Sequence, residues 1–240
     1  MTAPRLTICF DNYPGIAGLP TLWGFAAIIE VSGQTILFDT GSNGRVLLDN
    51  LTALGWHPSR FDVVFLSHPH WDHIGGLDSI LELNPGLRVV VHEGFSKHLI
   101  RDLQALCDEV QIVGAEPLAL GPCIASTGQL DSEPPEHGLV IDTGAVTALI
   151  SGCAHPGMEQ MVAGVKVRIG KPIDWAIGGF HLMYADVEQI GRAIAELQSL
   201  GVTTVLPTHC TGDAARDAFR AAYGRRCVEG GIGRIIEITR

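Results

Sequence analysis

A series of short apolar runs, several of them running straight into a histidine, constrains this chain more than any other feature. The runs are LTICF (6–10), FAAIIEV (25–31), TILFDT (35–40), DVVFLS (62–67), LRVVVH (87–92), GLVIDT (138–143), VTALISG (146–152), DWAIGGF (174–180), TTVLPTH (203–209) and RIIEIT (234–239). All have strand length, and several alternate or are wholly apolar with β-branched residues, as buried strands do. VSGQT (31–35) and DTGAV (142–146) set a glycine between apolar runs and predict hairpin turns. Helical spacing is clearest over 186–200, where Val187, Ile190, Ile194, Leu197 and Leu200 form one stripe. Asp186 and Gln189 can cap its start, and Gly201 can close its end. Weaker helices are expected at 44–55, 76–83, 95–107, 157–168 and 212–223. Hairpins open each half and helices follow, which argues against a simple doubly wound βαβ sheet. Two sheets packed together with helices outside fit the order better.

The remaining bulk properties narrow the class. A chain of 240 residues can bury a sizeable core as one domain over 1–240. With 46% hydrophobic and 18% charged residues it is not a disordered chain. A net charge of −10 argues against an electrostatic nucleic-acid binder. The N-terminal segment lacks the apolar region of a signal peptide, and no window is long enough to span a bilayer. A cytoplasmic protein with no nucleic-acid or membrane partner is expected; its oligomeric state is open. The cysteines at 9, 107, 123, 153, 210 and 227 form no CxxC and read as reduced thiols.

The chemistry is concentrated in DVVFLSHPHWDHIGGL (62–77). Residues two apart on an extended segment point the same way, so His68 and His70 can grip one metal ion. Asp72 and His73 follow as the chain turns at Gly75-Gly76, and can reach a second position nearby. Three histidines and an aspartate within six residues at the end of an apolar strand are hard to explain structurally. His155, His181 and His209 share the setting of an apolar run followed by histidine, at strand ends where loops build sites. His57, His92, His98 and His137 are left as structural or of unknown role. GxSxG, Walker A and GxGxxG motifs are absent from the sequence.

HPHWDH resembles the HxHxDH signature of the metallo-β-lactamase superfamily. LFDTG (37–41) resembles the aspartate turn before it, and SGCAH and PTHC resemble the later ligand motifs. The resemblance implies an α/β fold of four layers, an αββα sandwich of two mixed sheets flanked by helices, with metals at one edge. DNYPG, SGCAHPG, IGGFHL and PTHCTG are similar to a branch typified by a dihydropterin-condensing synthase of the methanopterin pathway. The chain departs from that branch at Trp23-Gly24-Phe25-Ala26, where a His-Gly-Leu-Ser-like stretch is usual, and at Gln160, where asparagine is usual. Carried over residue by residue, the resemblance places His68, His70 and His155 on a first metal, and Asp72, His73 and His209 on a second.

At the next motif the superfamily normally has an aspartate bridging both metals; this chain offers His181 in GGFHL. A neutral imidazole presents one lone pair and cannot bridge. His181 therefore ligates one ion only, stands behind a ligand, or contacts substrate, and the second ion should be held less tightly. Asp174 is the nearest acid but begins its strand, away from the expected site. Asp39 either orients a ligand histidine by accepting its N–H or is a plain turn residue. Cys153 and Cys210 lie beside expected ligands, and a thiolate there would favour zinc. Cys153 precedes His155 on a strand that already supplies a ligand, so the expected set is nitrogen and oxygen.

One or two divalent ions are expected, Zn2+ first, with Mn2+ and Fe2+ also suited. A metal-bound water becomes hydroxide near neutral pH and attacks a carbonyl or phosphoryl centre. Asp72 can orient that nucleophile or pass its proton, and His181 is the other catalytic candidate. The expectation is a metal-dependent hydrolase acting on an ester, lactone or phosphoryl centre of a small molecule. The alternatives are a pterin-type condensing transferase, an iron-dependent oxidoreductase and a non-catalytic metal-binding protein. A flavin-linked oxidoreductase would carry a flavodoxin-like domain, for which 240 residues leave no room. Substrate contacts are expected from 11–23, 94–107, 126–137 and 181–186. There Tyr13, Trp23, Phe95, Phe180 and Tyr184 can stack on a ring, and Lys97 or Arg101 can meet a phosphate.

Overall fold

The structure, a computed structural model, describes residues 2–240, the side chain of Ile169 excepted. Two compact units divide the chain: one runs to Gly114 and adds Gly231–Glu237, the other comprises Ala115–Gly230 and Ile238–Arg240. The first unit contains β1 (Arg5–Phe10), β2 (Ala26–Val31), β3 (Gln34–Phe38), α1 (Gly44–Ala53), β4 (Val63–Phe65), α2 (Trp71–Ile74), α3 (Leu77–Leu83), β5 (Arg88–His92), α4 (Lys97–Leu106) and β6 (Glu109–Val113). The second contains β7 (Leu118–Gly121), β8 (Ile124–Ser126), β9 (Leu139–Asp142), β10 (Thr147–Ser151), α5 (Met158–Ile169), β11 (Trp175–Gly179), α6 (Val187–Leu200), β12 (Thr204–Thr208) and α7 (Asp213–Tyr223). The last strand, β13 (Ile235–Glu237), belongs to the first unit.

Both sheets are mixed. In the first unit the order is β13-β1-β2-β3-β4-β5-β6, antiparallel up to β3 and parallel from β3 onward. In the second it is β12-β11-β10-β9-β8-β7, with β10, β11 and β12 parallel and the rest antiparallel. Both expected hairpins form, β2–β3 and β9–β10. Ser32 and Gly33 both have positive φ between β2 and β3, as a two-residue hairpin turn requires. Between β9 and β10, Asp142 accepts a hydrogen bond from the Gly144 N–H.

Alternation along the strands builds the first core. Ile28, Leu37, Val64, Val89 and Val91 pack with Leu47 and Leu51 of α1, Leu77 and Ile80 of α3 and Leu103 of α4. The residues between them, Ile29, Phe38, Phe65 and Val90, are also buried, and the Phe38 and Phe65 rings stack at 5.3 Å. This two-sided burial explains why the parallel strands read as continuous apolar runs. In the second unit Leu149, Ala176 and Val205 pack with Met161 and Val165 of α5, Ile190, Ile194 and Leu197 of α6, and Phe219 of α7. Among the described residues no helix is long and apolar enough to cross a membrane.

α6 has the full capping box: Asp186 accepts from the Gln189 N–H at 2.8 Å, and the Gln189 side chain accepts from the Asp186 N–H at 2.8 Å. Gly201 closes the helix in the left-handed region, φ 94°. Replacing Asp186 with alanine is expected to cost about 1 kcal/mol. The urea midpoint of the metal-free chain should fall accordingly with an unchanged slope; an unaltered midpoint would argue against the cap.

Several runs end earlier as strands than their apolar stretch does. The run 35–40 leaves its ladder at Phe38, 62–67 at Phe65 and 203–209 at Thr208. Residues just past two of these ends, Asp39 and His209, sit at positive φ of 55° and 50°. Strands β6, β7 and β8 and the four-residue helix α2 carry no strong periodic signal, and the sequence reading passes over them.

Candidate metal centre

In each unit the histidines follow the carboxyl ends of neighbouring parallel strands, where open α/β sheets place ligands. In the first unit β3 and β4 end in register, Phe38 opposite Phe65. Asp39 follows the first; Ser67, His68 and His70 follow the second. His68 and His73 are fully buried, Asp72 nearly so, and His70 is exposed. His68 lies 4.8 Å from His70 and 4.1 Å from His73 between ring centroids. His73 Nε2 is 3.7 Å from Asp72 Oδ2. A backbone bond from the Phe25 N–H to the Asp72 carbonyl, at 3.2 Å, pins the turn of α2.

Asp39 organises this half. Its Oδ1 accepts from the Ser67 N–H at 2.7 Å, and its Oδ2 accepts from the Ser67 hydroxyl and meets His73 Nδ1, both at 2.7 Å. The Ser67 oxygen in turn lies 2.9 Å from His68 Nδ1. Ser67 has one hydroxyl proton and gives it to Asp39, so His68 must be the donor in that second contact. Both imidazoles thus carry their proton on Nδ1 and their lone pair on Nε2, the form in which histidine ligates a metal.

In the second unit β10 and β11 pair Ser151 with Gly178, and β11 and β12 pair Gly179 with Thr208. The segments Gly152–His155, Phe180–His181 and His209–Thr211 leave these strands side by side. The backbone is strained here: Ala154, His181 and His209 have φ of 56°, 52° and 50°. Such strain persists only where surrounding contacts over-determine it. The Thr211 hydroxyl supplies some of them, accepting from the Phe180 N–H at 3.0 Å and donating to the Thr208 carbonyl at 2.7 Å.

A residue that sequence reading missed supplies the rest. Glu136 is fully buried, and its Oε1 accepts from the N–H groups of Gly152, Cys153 and Ala154 and from the Ser151 hydroxyl. Its Oε2 accepts from the His155 N–H at 2.8 Å. Burial pushes the Glu136 carboxyl above the usual carboxylate range, against the pull of those donors. Nothing in SEPPEHG (132–138) marks it, since an acid in a proline-rich stretch reads as solvated loop.

The His155 and His181 rings are 4.4 Å apart. The donor atoms of Cys153, His155 and His181 lie within 4.8 Å of one another, as do those of Cys153, His209 and Cys210. Cys210 donates to the Cys153 carbonyl at 3.5 Å. The hydrogen bond with Cys210 raises the His181 pKa. Burial works to raise the Cys210 thiol, but hydrogen bonding with Cys153 and His181 and the nearby His209 hold it well below the usual thiol range. The donors of each unit, taken by itself, suit a divalent transition ion of borderline softness.

The other candidates fall outside this arrangement. Asp174 precedes β11 and accepts from the Thr147 N–H, at the opposite end of the strand from His181. Phe95 and Phe180 are core residues, not stacking platforms: Phe95 packs among the residues of the first core, and Phe180 meets Phe219 edge-on at 5.2 Å. Tyr184, Trp23 and also Trp71 remain exposed. Arg101 is exposed and bonds His98 on its own helix. The segment 126–137 is only partly surface, since Ser126, Thr127, Glu136 and His137 are buried.

Residues 24–110 match the family model of the metallo-β-lactamase superfamily. The chain is 29% identical to the 7,8-dihydropterin-6-methyl-4-(β-D-ribofuranosyl)-aminobenzene-5'-phosphate synthase of Methanocaldococcus jannaschii, over 83% of this chain and 84% of that one. It superposes on a metal-dependent hydrolase of the β-lactamase superfamily with a TM-score of 0.81, at 24% identity, over 99% of this chain and 100% of the other. The fold protein YhfI from Bacillus subtilis follows at a TM-score of 0.71 and 17% identity, over 99% and 100% of the two chains.

Proposed function

We propose, starting from the metallo-β-lactamase fold of this chain, that it is a metal-dependent hydrolase of a small-molecule ester, lactone or phosphoryl compound. In this reading His68, His70 and His155 hold one ion, and Asp72, His73 and His209 hold the other. The observation that carries the reading is the relay from Asp39 through Ser67 to His68, and directly to His73, which sets both imidazoles to present Nε2. Buried histidines with a purely structural role gain nothing from a shared tautomer.

When bound, such ions polarise the electrophile's oxygen and lower the pKa of water in their sphere. The chain's own residues do the rest. Asp39 and Ser67 hold the imidazoles at fixed angles, so little reorganisation is needed on binding. Asp72 is a buried carboxylate with an oxygen to accept and pass a proton. Trp71 and Trp23 are exposed beside this half and offer apolar surface to a substrate.

A second reading is a condensing transferase on a dihydropterin-type substrate, and the likeness to the synthase over most of both chains favours it. Both readings are tested with one panel: an ester, a lactone, a phosphodiester, and a pterin pyrophosphate with and without an arylamine. The chain loaded with Zn2+ or Mn2+ is expected to hydrolyse at least one of the first three and to lose that activity on chelation. Turnover only of the pterin pyrophosphate, and only with the amine present, would replace the hydrolase reading by the transferase.

A further inference from the structure

The proposed centre lacks the carboxylate that should bridge its two ions, and His181 cannot replace it, because an imidazole has one lone pair to give. Two dications a few Å apart repel strongly unless ligands neutralise them. Asp72 is the one carboxylate in the proposed ligand set. Some other anionic, multiply coordinating group is needed, and the second unit contains one.

Cys153 is buried beside the ligands, and within the second unit its Sγ belongs to two groups of donor atoms at once. In one it lies within 4.8 Å of His155 and His181; in the other it lies within 4.8 Å of His209 and Cys210. His155 and His209 are the residues assigned above to different ions. Zinc sites with Zn–N near 2.0 Å and Zn–S near 2.3 Å hold neighbouring donor atoms about 3.5 Å apart, so modest side-chain rotation closes both groups. A thiolate sulfur keeps several lone pairs and can serve two ions where an imidazole cannot.

The backbone is shaped to keep this sulfur in place. The Cys153 N–H is held by Glu136, and the Cys153 carbonyl accepts from the Cys210 thiol. Glycine at 179 leaves the room that the pair occupies: a Cβ there would come within 2.6 Å of Cys210 Sγ and 3.1 Å of Cys153 Cα. Cys210 thus acts through Cys153 as a positioning residue.

We propose that Cys153 is a metal ligand and that its thiolate bridges the two ions in place of the missing carboxylate. This rests on the two-ion reading above. The thiol proton leaves to solvent as the sulfur–metal bond forms. A sulfur ligand also shifts the preference toward Zn2+ and away from Mn2+.

The experiment is Co2+ titration of the chelator-stripped full-length chain, read in the near ultraviolet, with zinc-edge X-ray absorption of the zinc-loaded chain. The expected result is an intense sulfur-to-cobalt charge-transfer band, and sulfur at about 2.3 Å from zinc. Cys153→Ser should lose the band and shift the stoichiometry from two ions toward one. Cys210→Ser should keep the band, because a hydroxyl can still donate to the Cys153 carbonyl. Bound ions with nitrogen and oxygen neighbours alone overturn the thiolate while leaving the metal-centre reading intact. A band lost in Cys210→Ser but kept in Cys153→Ser overturns the assignment to Cys153. Absence of any bound ion overturns both readings, and is recognised by the loss of all cobalt absorption. If Cys153→Ser does not fold, zinc-edge absorption of Cys210→Ser decides: sulfur retained at zinc supports Cys153, and its loss overturns the assignment.

Discussion

Replacing Glu136 with alanine is expected to cost about 4 kcal/mol or more of folding stability, among the largest effects of any single change outside the apolar cores. The carboxylate accepts from the consecutive N–H groups of residues 152 to 155 and from the Ser151 hydroxyl. Each buried donor left without an acceptor costs about 1–3 kcal/mol, and the whole fold is stable by only about 5–15 kcal/mol. Glu136→Gln should fall between. Its amide oxygen can still serve the Oε1 donors, but its NH2 then faces the His155 N–H. Urea unfolding of the metal-free chain measures both. An alanine variant within about 1 kcal/mol of the parent would mean that solvent reaches this loop and that Glu136 does not hold it. The metal titration of Glu136→Gln adds a functional reading: affinity should fall even where the fold survives, because Cys153 and His155 ride on the loosened segment.

The second large effect concerns Asp39. In Asp39→Asn one carboxylate oxygen becomes an NH2, which cannot accept from both the Ser67 hydroxyl and His73 Nδ1–H. With the NH2 in the Oδ2 place both imidazoles lose the acceptor that sets their tautomers, and with it in the Oδ1 place the Ser67 N–H loses its acceptor and the segment carrying His68 is loosened. Metal affinity should fall by about 10- to 100-fold, the usual cost of removing a group that orients a ligand. His68→Ala should abolish binding at the ion it serves, while His57→Ala, which removes an exposed histidine whose ring bonds Ser59, should leave the affinity unchanged. Competition with a chromophoric chelator gives these affinities. An Asn variant that binds as tightly as the parent would show that Asp39 serves the turn and not the histidines.

Much of this molecule is readable from patterns that are local in sequence. A buried strand needs apolar residues on both faces and a helix needs them every three or four, so β1 to β5 and all the longer helices announce themselves. The capping box at Asp186 and Gln189 is equally local. So is HPHWDH, because its donors are neighbours along the chain. The strands that escaped notice, β6 to β8, are short and have residues turned to solvent, so their composition carries little of that signal. Phe95 and Phe180 show the opposite failure. An aromatic residue beside an expected site reads as a ring platform, and only packing decides that it belongs to a core.

What the sequence by itself determined is the inventory: which runs become strands and which histidines follow them. The tertiary structure alone decided how those groups are held. Asp39 reaches Ser67 and His73 across 28 and 34 residues, and Glu136 reaches a loop 16 to 19 residues further on. Cys153 and Cys210 come together across 57 residues. Hydrogen-bond partners so distant are set by strand order and register, which bring remote segments to one sheet edge, and no spacing along the chain encodes them. The physical reason is that apolar patterning is a property of single elements, whereas the tautomer of a histidine or the seat of a thiol is a property of what folding places beside it.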